Sequence, residues 1–293
     1  MIPDFLLNLL NKQYDTKTVN EIICGYKIKR KTTFRVNRLK VLDSYVLDEL
    51  DKLNIKYEKY EYLDNAYIIN IDAKELYNHD LVKNGYIYFQ SISSMLPPYF
   101  LEPKEGETIL DMCAAPGGKT ICIGQLTNNE ASITALETNK IRFERLKHNL
   151  EVQGVKAFIL NQDATKIDDF FRFDKILLDA PCSGSGTLNL DDDKQMKSFS
   201  YNLIKNSSTL QEKLLDKALT ILKPKSSMIY STCSILDLEN ENVLNKLLKK
   251  HNAKVVPIEA SYLPLLKSKI DGTLLVKPTE LFEGFFIAKI YKN

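Results

Sequence analysis

The chain has 293 residues, 44% of them hydrophobic, enough for one large domain or two unequal ones around a sizeable core. With 40 Lys and Arg against 38 Asp and Glu the net charge is +2, so bulk charge does not mark a nucleic-acid binder, and any basic surface must be local. No apolar run approaches the roughly 18 residues that cross a bilayer, and MIPDFLLNLLNKQYD lacks the basic start and small-residue cleavage site of a signal peptide. The expected location is the cytoplasm, with no membrane partner and no obligate protein partner evident.

The amino end opens with an amphipathic helical pattern (Phe5, Leu6, Leu9, Leu10). From Lys27 to Lys40 there follow seven basic residues and no acidic ones, with Phe34 inside the run. Such a run is either a solvated face or a phosphate-contacting patch. On the second reading, replacing Lys29, Arg30, Lys31 and Arg35 with Ala weakens RNA binding and flattens its salt dependence. Residues 41 to 87 mix a helical stretch (VLDSYVLDELDKL) with short Tyr- and Ile-rich strand candidates (YEKYEYL, AYIINI, GYIYFQ). That mixture predicts a small α+β domain over residues 1–87, read as RNA-binding. Its tyrosines fit strand packing better than base stacking.

From about residue 105 short apolar runs alternate with helical stretches. ETILDMC, SITALE, AFILNQD, DKILLDA and SSMIYST read as strands; KTICIGQL, NKIRFERLKHNLEVQ, SSTLQEKLLDKALTIL and ENENVLNKLLKKH read as helices. The alternation predicts an α/β domain over 88–293 with a doubly wound, mainly parallel sheet, and FEGFFIAKIYK reads as its last strand.

In such sheets the ligand lies beyond the carboxyl ends of the strands, where strand order reverses. The first strand runs into CAAPGGKT, residues Cys113, Ala114, Ala115, Pro116, Gly117, Gly118, Lys119 and Thr120. There Pro116 fixes a turn, the two glycines allow a close backbone approach, and a helix starting near Gly118 offers free N–H groups to an anion such as a methionine carboxylate. Glu137 ends the second strand, where nucleotide-binding folds place an acid for ribose hydroxyls, and Asp163 ends the third, placed for an adenine amino group. These features do not separate S-adenosylmethionine from NAD, although the loop lacks GxGxxG.

Five scattered cysteines form no CxxC pair, which argues against a disulfide framework and a zinc site. Cys24 and Cys122 read as packing, on a helix start and inside a helix. Cys182, in DAPCSGSG after the fourth strand, and Cys233, in STCS at the end of the fifth, share with Asp179 the sheet edge that carries the cofactor loop.

Taken together, DMCAAPGGKT, DAPCSGSG and YSTCS resemble the Sun (Fmu) family of RNA cytosine-5 methyltransferases, and FRVN, QSISSMLP and EGFFIAK fit it over roughly residues 30 to 290. The resemblance implies a Rossmann-like class I methyltransferase sheet with a last antiparallel strand, S-adenosyl-L-methionine as cofactor, and 5-methylcytosine in tRNA or rRNA as product. It implies that Cys233 adds to carbon 6 of cytosine and that Cys182 promotes release of the methylated product. It also implies that Asp179 holds ring nitrogen 3 and the amino group, and that Lys119 lies near cofactor and base; Asp179 counts with both the catalytic and the cofactor set. A free thiol ionises near pH 8.5, so such a nucleophile needs a positive or polar neighbourhood. Chemistry on a ring edge requires an unstacked base, which favours a loop or junction cytosine.

The chain departs from the family after GSGT, where LNLDDDKQMKSFS replaces a basic stretch with tryptophan; the acidic run Asp191 to Asp193 reads as a solvated loop. Its short form resembles the tRNA-modifying members, which favours tRNA over rRNA. Three other readings stay open. A DNA cytosine-5 methyltransferase would use the Pro181–Cys182 pair for the nucleophile; a non-catalytic RNA-binding protein would keep the fold without the chemistry; a nicotinamide dehydrogenase would bind NAD.

Overall fold

The computed structural model describes residues 2–293. Two helices open it, α1 (Asp4–Gln13) and α2 (Thr16–Gly25), followed by β1 (Thr32–Val36), α3 (Asp43–Lys52), β2 (Tyr57–Lys59), β3 (Ala66–Ile69), α4 (Asp80–Lys83) and β4 (Ile87–Phe89). The second part runs α5 (Ile92–Leu101), β5 (Thr108–Asp111), α6 (Gly118–Leu126), β6 (Ser132–Leu136), α7 (Lys140–Gln153), β7 (Phe158–Leu160) and β8 (Phe173–Asp179). It ends with α8 (Asp193–Ser198), α9 (Tyr201–Ile221), β9 (Leu222–Thr232), α10 (Glu241–Leu247), β10 (Ala253–Val256), β11 (Leu274–Val276) and β12 (Phe285–Lys292).

The large sheet has the order β10-β12-β9-β8-β5-β6-β7, with β11 also paired to β12. β5 pairs in parallel with both β6 and β8, and the chain moves outward through β6 and β7 before returning to β8 and β9. The order therefore reverses between β5 and β8, and their carboxyl ends frame the crevice where ligands bind in open α/β sheets. β12 runs antiparallel between β9 and β10. The expected mainly parallel sheet with a last antiparallel strand is the one observed.

Alternation along the central strands divides the core between two faces. Leu110, Ile176, Leu178, Met228 and Phe286 point into one cluster with α9 and α10, while Ile109, Leu177, Ile229 and Ile287 point into another with α5 and α6. Burial on both faces explains why these strands read as continuous apolar runs.

A second, antiparallel sheet has the order β2-β3-β1-β4 and its own core of Phe34, Val36, Val46, Leu50, Tyr67, Ile69 and Ile87. The expected boundary at residue 87 falls within β4, and Leu6, Leu10, Tyr14, Val19, Ile22 and Tyr26 of the first two helices pack into the large sheet's core. Several elements were not read from sequence. β1 was hidden in the basic run, α4, β10 and β11 are short, α5 overlaps the QSISSMLP segment and holds two prolines, and α8 occupies the acidic loop. Asp192 explains α8: its carboxylate accepts from the N–H groups of Lys194 and Gln195, both at 3.0 Å, capping the helix it precedes. Among the described residues no helix is long and apolar enough to cross a membrane.

Candidate active site

The cofactor half is made largely of backbone. β5 ends at Asp111, the chain turns through Cys113 to Pro116, and Gly117, at φ 113°, caps α6 from the left-handed region that favours glycine. A Cβ on Gly118 would lie 2.9 Å from Tyr88 and 3.2 Å from Gln90, so only glycine lets the turn press against β4 and its following residues. A cavity of about 310 Å3 opens between the two, lined by Cys113, Ala114, Ala115, Pro116, Gly118, Lys119, Arg142 and Asp179 on one side and Tyr88, Gln90 and Ser94 on the other. A smaller one of about 80 Å3 adjoins it through Cys113 and Arg142 and holds Glu137 and Asp163. Gly117 lines neither cavity; its part is the turn itself.

The donors and acceptors here suit S-adenosylmethionine. Gly118 and Lys119, the first residues of α6, line the cavity, and the first N–H groups of a helix lack intrahelical partners, which fits a carboxylate. Glu137 is buried, yet its second oxygen meets only Arg142, at 3.5 Å, which leaves acceptor capacity beside the smaller cavity. Asp163 receives the N–H and hydroxyl of Thr165 at 2.9 and 2.7 Å through one oxygen. It is therefore both a cap and a cavity wall. Asp111 is buried with Oδ1 unpartnered while Oδ2 accepts from Thr120 at 2.7 Å. Burial pushes its carboxyl up to about 6; it lies beneath the loop and lines neither cavity.

The thiol half is made of side chains. Lys119 bridges Asp179 at 2.7 Å and donates to Ser94 Oγ at 2.7 Å, and Ser231 donates to the other Asp179 oxygen at 2.7 Å. Burial opposes the Lys119 charge, but Asp179 beside it holds the ammonium above its usual range. Cys182 and Cys233 follow the adjacent strands β8 and β9, and their sulfurs stand 2.9 Å apart. The contact with Cys233, burial and the nearby Glu239 charge push the Cys182 thiol up. The loops are fastened to each other: Gly186 N–H donates to Cys233 O at 2.9 Å, and Gly284 N–H donates to Gly186 O at 2.8 Å. A Cβ on Gly186 would stand 2.0 Å from Gly284 O, so this approach is possible only between glycines.

The structure thus gathers Lys119, Asp179, Cys182 and Cys233 at one edge, beside Cys113 to Gly118, Glu137 and Asp163. The amino-terminal basic run does not assemble as expected. Arg35 is fully buried, donating to Gln90 and to Gly118 O at 3.0 Å, because β1 is the inner strand that faces the glycine loop. Arg30 points to the carbonyls of Gly186 and Phe282, and Lys31 pairs with Glu280 at 3.3 Å. Arg38 pairs with Asp43 and Asp64, and Lys40 donates to the carbonyls of Asn84 and Val152. Only Lys27 and Lys29 have no side-chain partner among the described residues. Cys24, expected to pack, is exposed near the end of α2, whereas Cys122 is buried as expected.

Sequence reasoning missed Tyr88, Gln90, Ser94, Asp111 and Arg142. Gln90 and Ser94 lie in QSISSMLP, a segment noted without a role, and Arg142 follows Glu137 on the first turn of α7, donating to Ala115 O at 2.7 Å.

A family model described as 16S rRNA methyltransferase RsmB/F matches residues 98–291. A probable ribosomal RNA small subunit methyltransferase B of Bacillus subtilis is 29% identical over 99% of this chain and 66% of its own length. A tRNA (cytosine(49)-C(5))-methyltransferase of Pyrococcus abyssi is 36% identical over 71% of each. Among solved structures, NSun6 from Pyrococcus horikoshii with SFG superposes at a TM-score of 0.88 and 23% identity, covering 99% of this chain and 98% of that one, and so shares the fold. The chain spans just under two thirds of the length of the Bacillus relative.

Proposed function

This chain belongs to the family described as 16S rRNA methyltransferase RsmB/F, and on that premise we propose that it is an S-adenosylmethionine-dependent RNA (cytosine-5)-methyltransferase. One observation carries the reading: two thiols 2.9 Å apart beside a Lys119–Asp179 pair, at the edge where the cofactor loop ends. Carbon 5 of cytosine is a poor nucleophile until a thiolate has added to carbon 6. Cys233 is the nucleophile. As Cys233 adds, its proton ends on ring nitrogen 3, and Asp179 accepts from that N–H and from the base amino group, with Lys119 and Ser231 fixing the carboxylate. Once carbon 5 carries the methyl group, its proton passes to a base and out to solvent, the ring re-forms its double bond as the bond to Cys233 sulfur breaks, and the proton on ring nitrogen 3 returns to the leaving thiolate; Cys182, whose sulfur stands 2.9 Å from that of Cys233, promotes this release.

When bound, S-adenosylmethionine supplies the electrophilic methyl group. The α6 amino end and Gly118 would hold its carboxylate, Glu137 its ribose and Asp163 its adenine; the cavities these residues line support the placement.

The substrate is tRNA rather than rRNA. Supporting this, the tRNA-modifying relative is 36% identical over 71% of this chain, against 29% over 99% of it for the rRNA-modifying Bacillus relative. The α+β unit of residues 1–87 contacts the RNA, with Lys27 and Lys29 as the cations its basic run leaves free. The cytoplasm is the location this reading favours, supported by cysteines that are all free and by an RNA substrate.

The test uses wild type, Cys233→Ala and Cys182→Ala with labelled cofactor and total RNA. Expected are 5-methylcytosine from wild type, none from Cys233→Ala, and a stable protein–RNA adduct from Cys182→Ala. An adduct from Cys233→Ala and none from Cys182→Ala would reverse the roles and reopen the DNA-type mechanism.

A further inference from the structure

Each catalytic thiol is followed by a serine, and both serines are gripped by one carboxylate. Glu239 sits in a short helical turn, Asp237–Glu239, beyond the Cys233 loop and is fully buried. Its Oε1 accepts from the Ser183 N–H at 2.7 Å. Its Oε2 accepts from Ser183 Oγ at 2.6 Å and from Ser234 Oγ at 2.7 Å. Neighbours brace the same two loops. Gln211 Nε2 donates to Pro181 O at 2.8 Å and lies 3.5 Å from Glu239 Oε1, Asn240 Nδ2 donates to Ser234 O at 2.9 Å, and Thr232 donates to Asn240 at 2.6 Å.

Burying a carboxylate costs several kcal/mol before its hydrogen bonds offset it, and an apolar side chain could fill the same space at lower cost. Burial pushes the Glu239 carboxyl up, opposed by the Ser183 and Ser234 bonds. What those bonds achieve is the mutual placement of two loops that come from different strands, alongside the direct links Ser185 Oγ to Ser234 Oγ at 2.8 Å, Ile235 N–H to Ser185 Oγ at 3.0 Å and Gly186 N–H to Cys233 O at 2.9 Å; among the described residues Glu239 alone grips the serine that follows each thiol.

We propose that Glu239 is a positioning residue that fixes the distance between Cys182 and Cys233, and through it the coupling of adduct formation to product release. It touches neither substrate nor cofactor; it acts through Ser183 and Ser234. The proposal rests on the roles given to the thiols above, so its test needs a ruler that does not depend on activity. A bifunctional alkylating reagent that fluoresces only when both ends join neighbouring thiols provides one, with Cys182→Ser and Cys233→Ser as blanks.

The full-length wild type, Glu239→Gln and Glu239→Ala are compared for crosslink fluorescence, cofactor affinity, and kcat and KM for RNA. A misplacement near 1 Å can cost about 100-fold in rate. Glu239→Ala is expected to lose the crosslink signal and about 100-fold in kcat, with KM and cofactor affinity within about twofold. Glu239→Gln keeps the shape and one acceptor and is expected to recover about a tenth of wild-type kcat with a measurable crosslink. Wild-type crosslinking and kcat in Glu239→Ala overturns the proposal. So does a Glu239→Ala chain that fails to fold together with a Glu239→Gln chain indistinguishable from wild type. If the wild type methylates no RNA while the crosslink collapses in Glu239→Ala, the activity assignment falls and the clamp stands.

Discussion

The two halves of the site share one sheet edge but are built by opposite means. In the cofactor half, beside the carboxylates of Glu137 and Asp163, most of the surface is main-chain: the α6 amino end, a glycine at φ 113° and the Ala115 carbonyl braced by Arg142. In the thiol half the working groups are side chains, held by a buried carboxylate and an ion pair. A backbone site tolerates variation in side chains but not in shape. A side-chain site tolerates small movements of the backbone only while its hydrogen-bond network stays complete.

Breaking the thiol half through its backbone should have the largest effect. Gly186→Ala would drive a methyl group into Gly284 O, which has no rotamer to yield, and is expected to cost more than about 3 kcal/mol in urea denaturation. A loss under about 1 kcal/mol would mean that the two loops separate easily and that the fastening described here is not real.

Relieving the cofactor half should do the reverse. Burial raises Asp111 from 3.8 to about 6, so in the folded chain it holds its proton over a range where the unfolded chain has lost it. Stability is unaffected below the unfolded value, falls as pH rises between the two, and carries the full penalty above the folded one. Asp111→Asn removes that penalty and should gain on the order of 3 kcal/mol at pH 7 and roughly half as much at pH 5. An equal gain at both pH values would show that the carboxyl's ionisation is not the cause.

The smallest effect is expected outside both halves. Lys29→Ala should weaken RNA binding less than about threefold at low salt and lower the salt slope by about one. A tenfold loss would place this cation at a principal contact rather than at the rim.

What sequence made legible follows the same division. The places of the glycine loop, Glu137 and Asp163 were readable because each lies at a strand end, within a few residues of the turn that brings it to the cavities. Cys182 and Cys233 were readable because their spacing from apolar runs put them at one edge. Glu239 was not, since ENENVLNKLLKKH reads as a plain helix start and nothing local shows that its first carboxylate is buried against Ser183 on another loop. Arg35 misled for a related reason. Charge is visible in sequence but burial is not, and a cation on the inner strand of a small sheet looks the same as one in solvent. Asp111 escaped because an orphaned oxygen is a property of packing.

The paired glycines bear on descent. Main chain presses on main chain at Gly186 and Gly284, so no change at one can be rescued by a change at the other. A lineage that lost methyl transfer could shed Cys182 or Cys233 and still fold. It would have to inherit both glycines intact, and the wreck of such an enzyme would be recognised by them long after its thiols had gone.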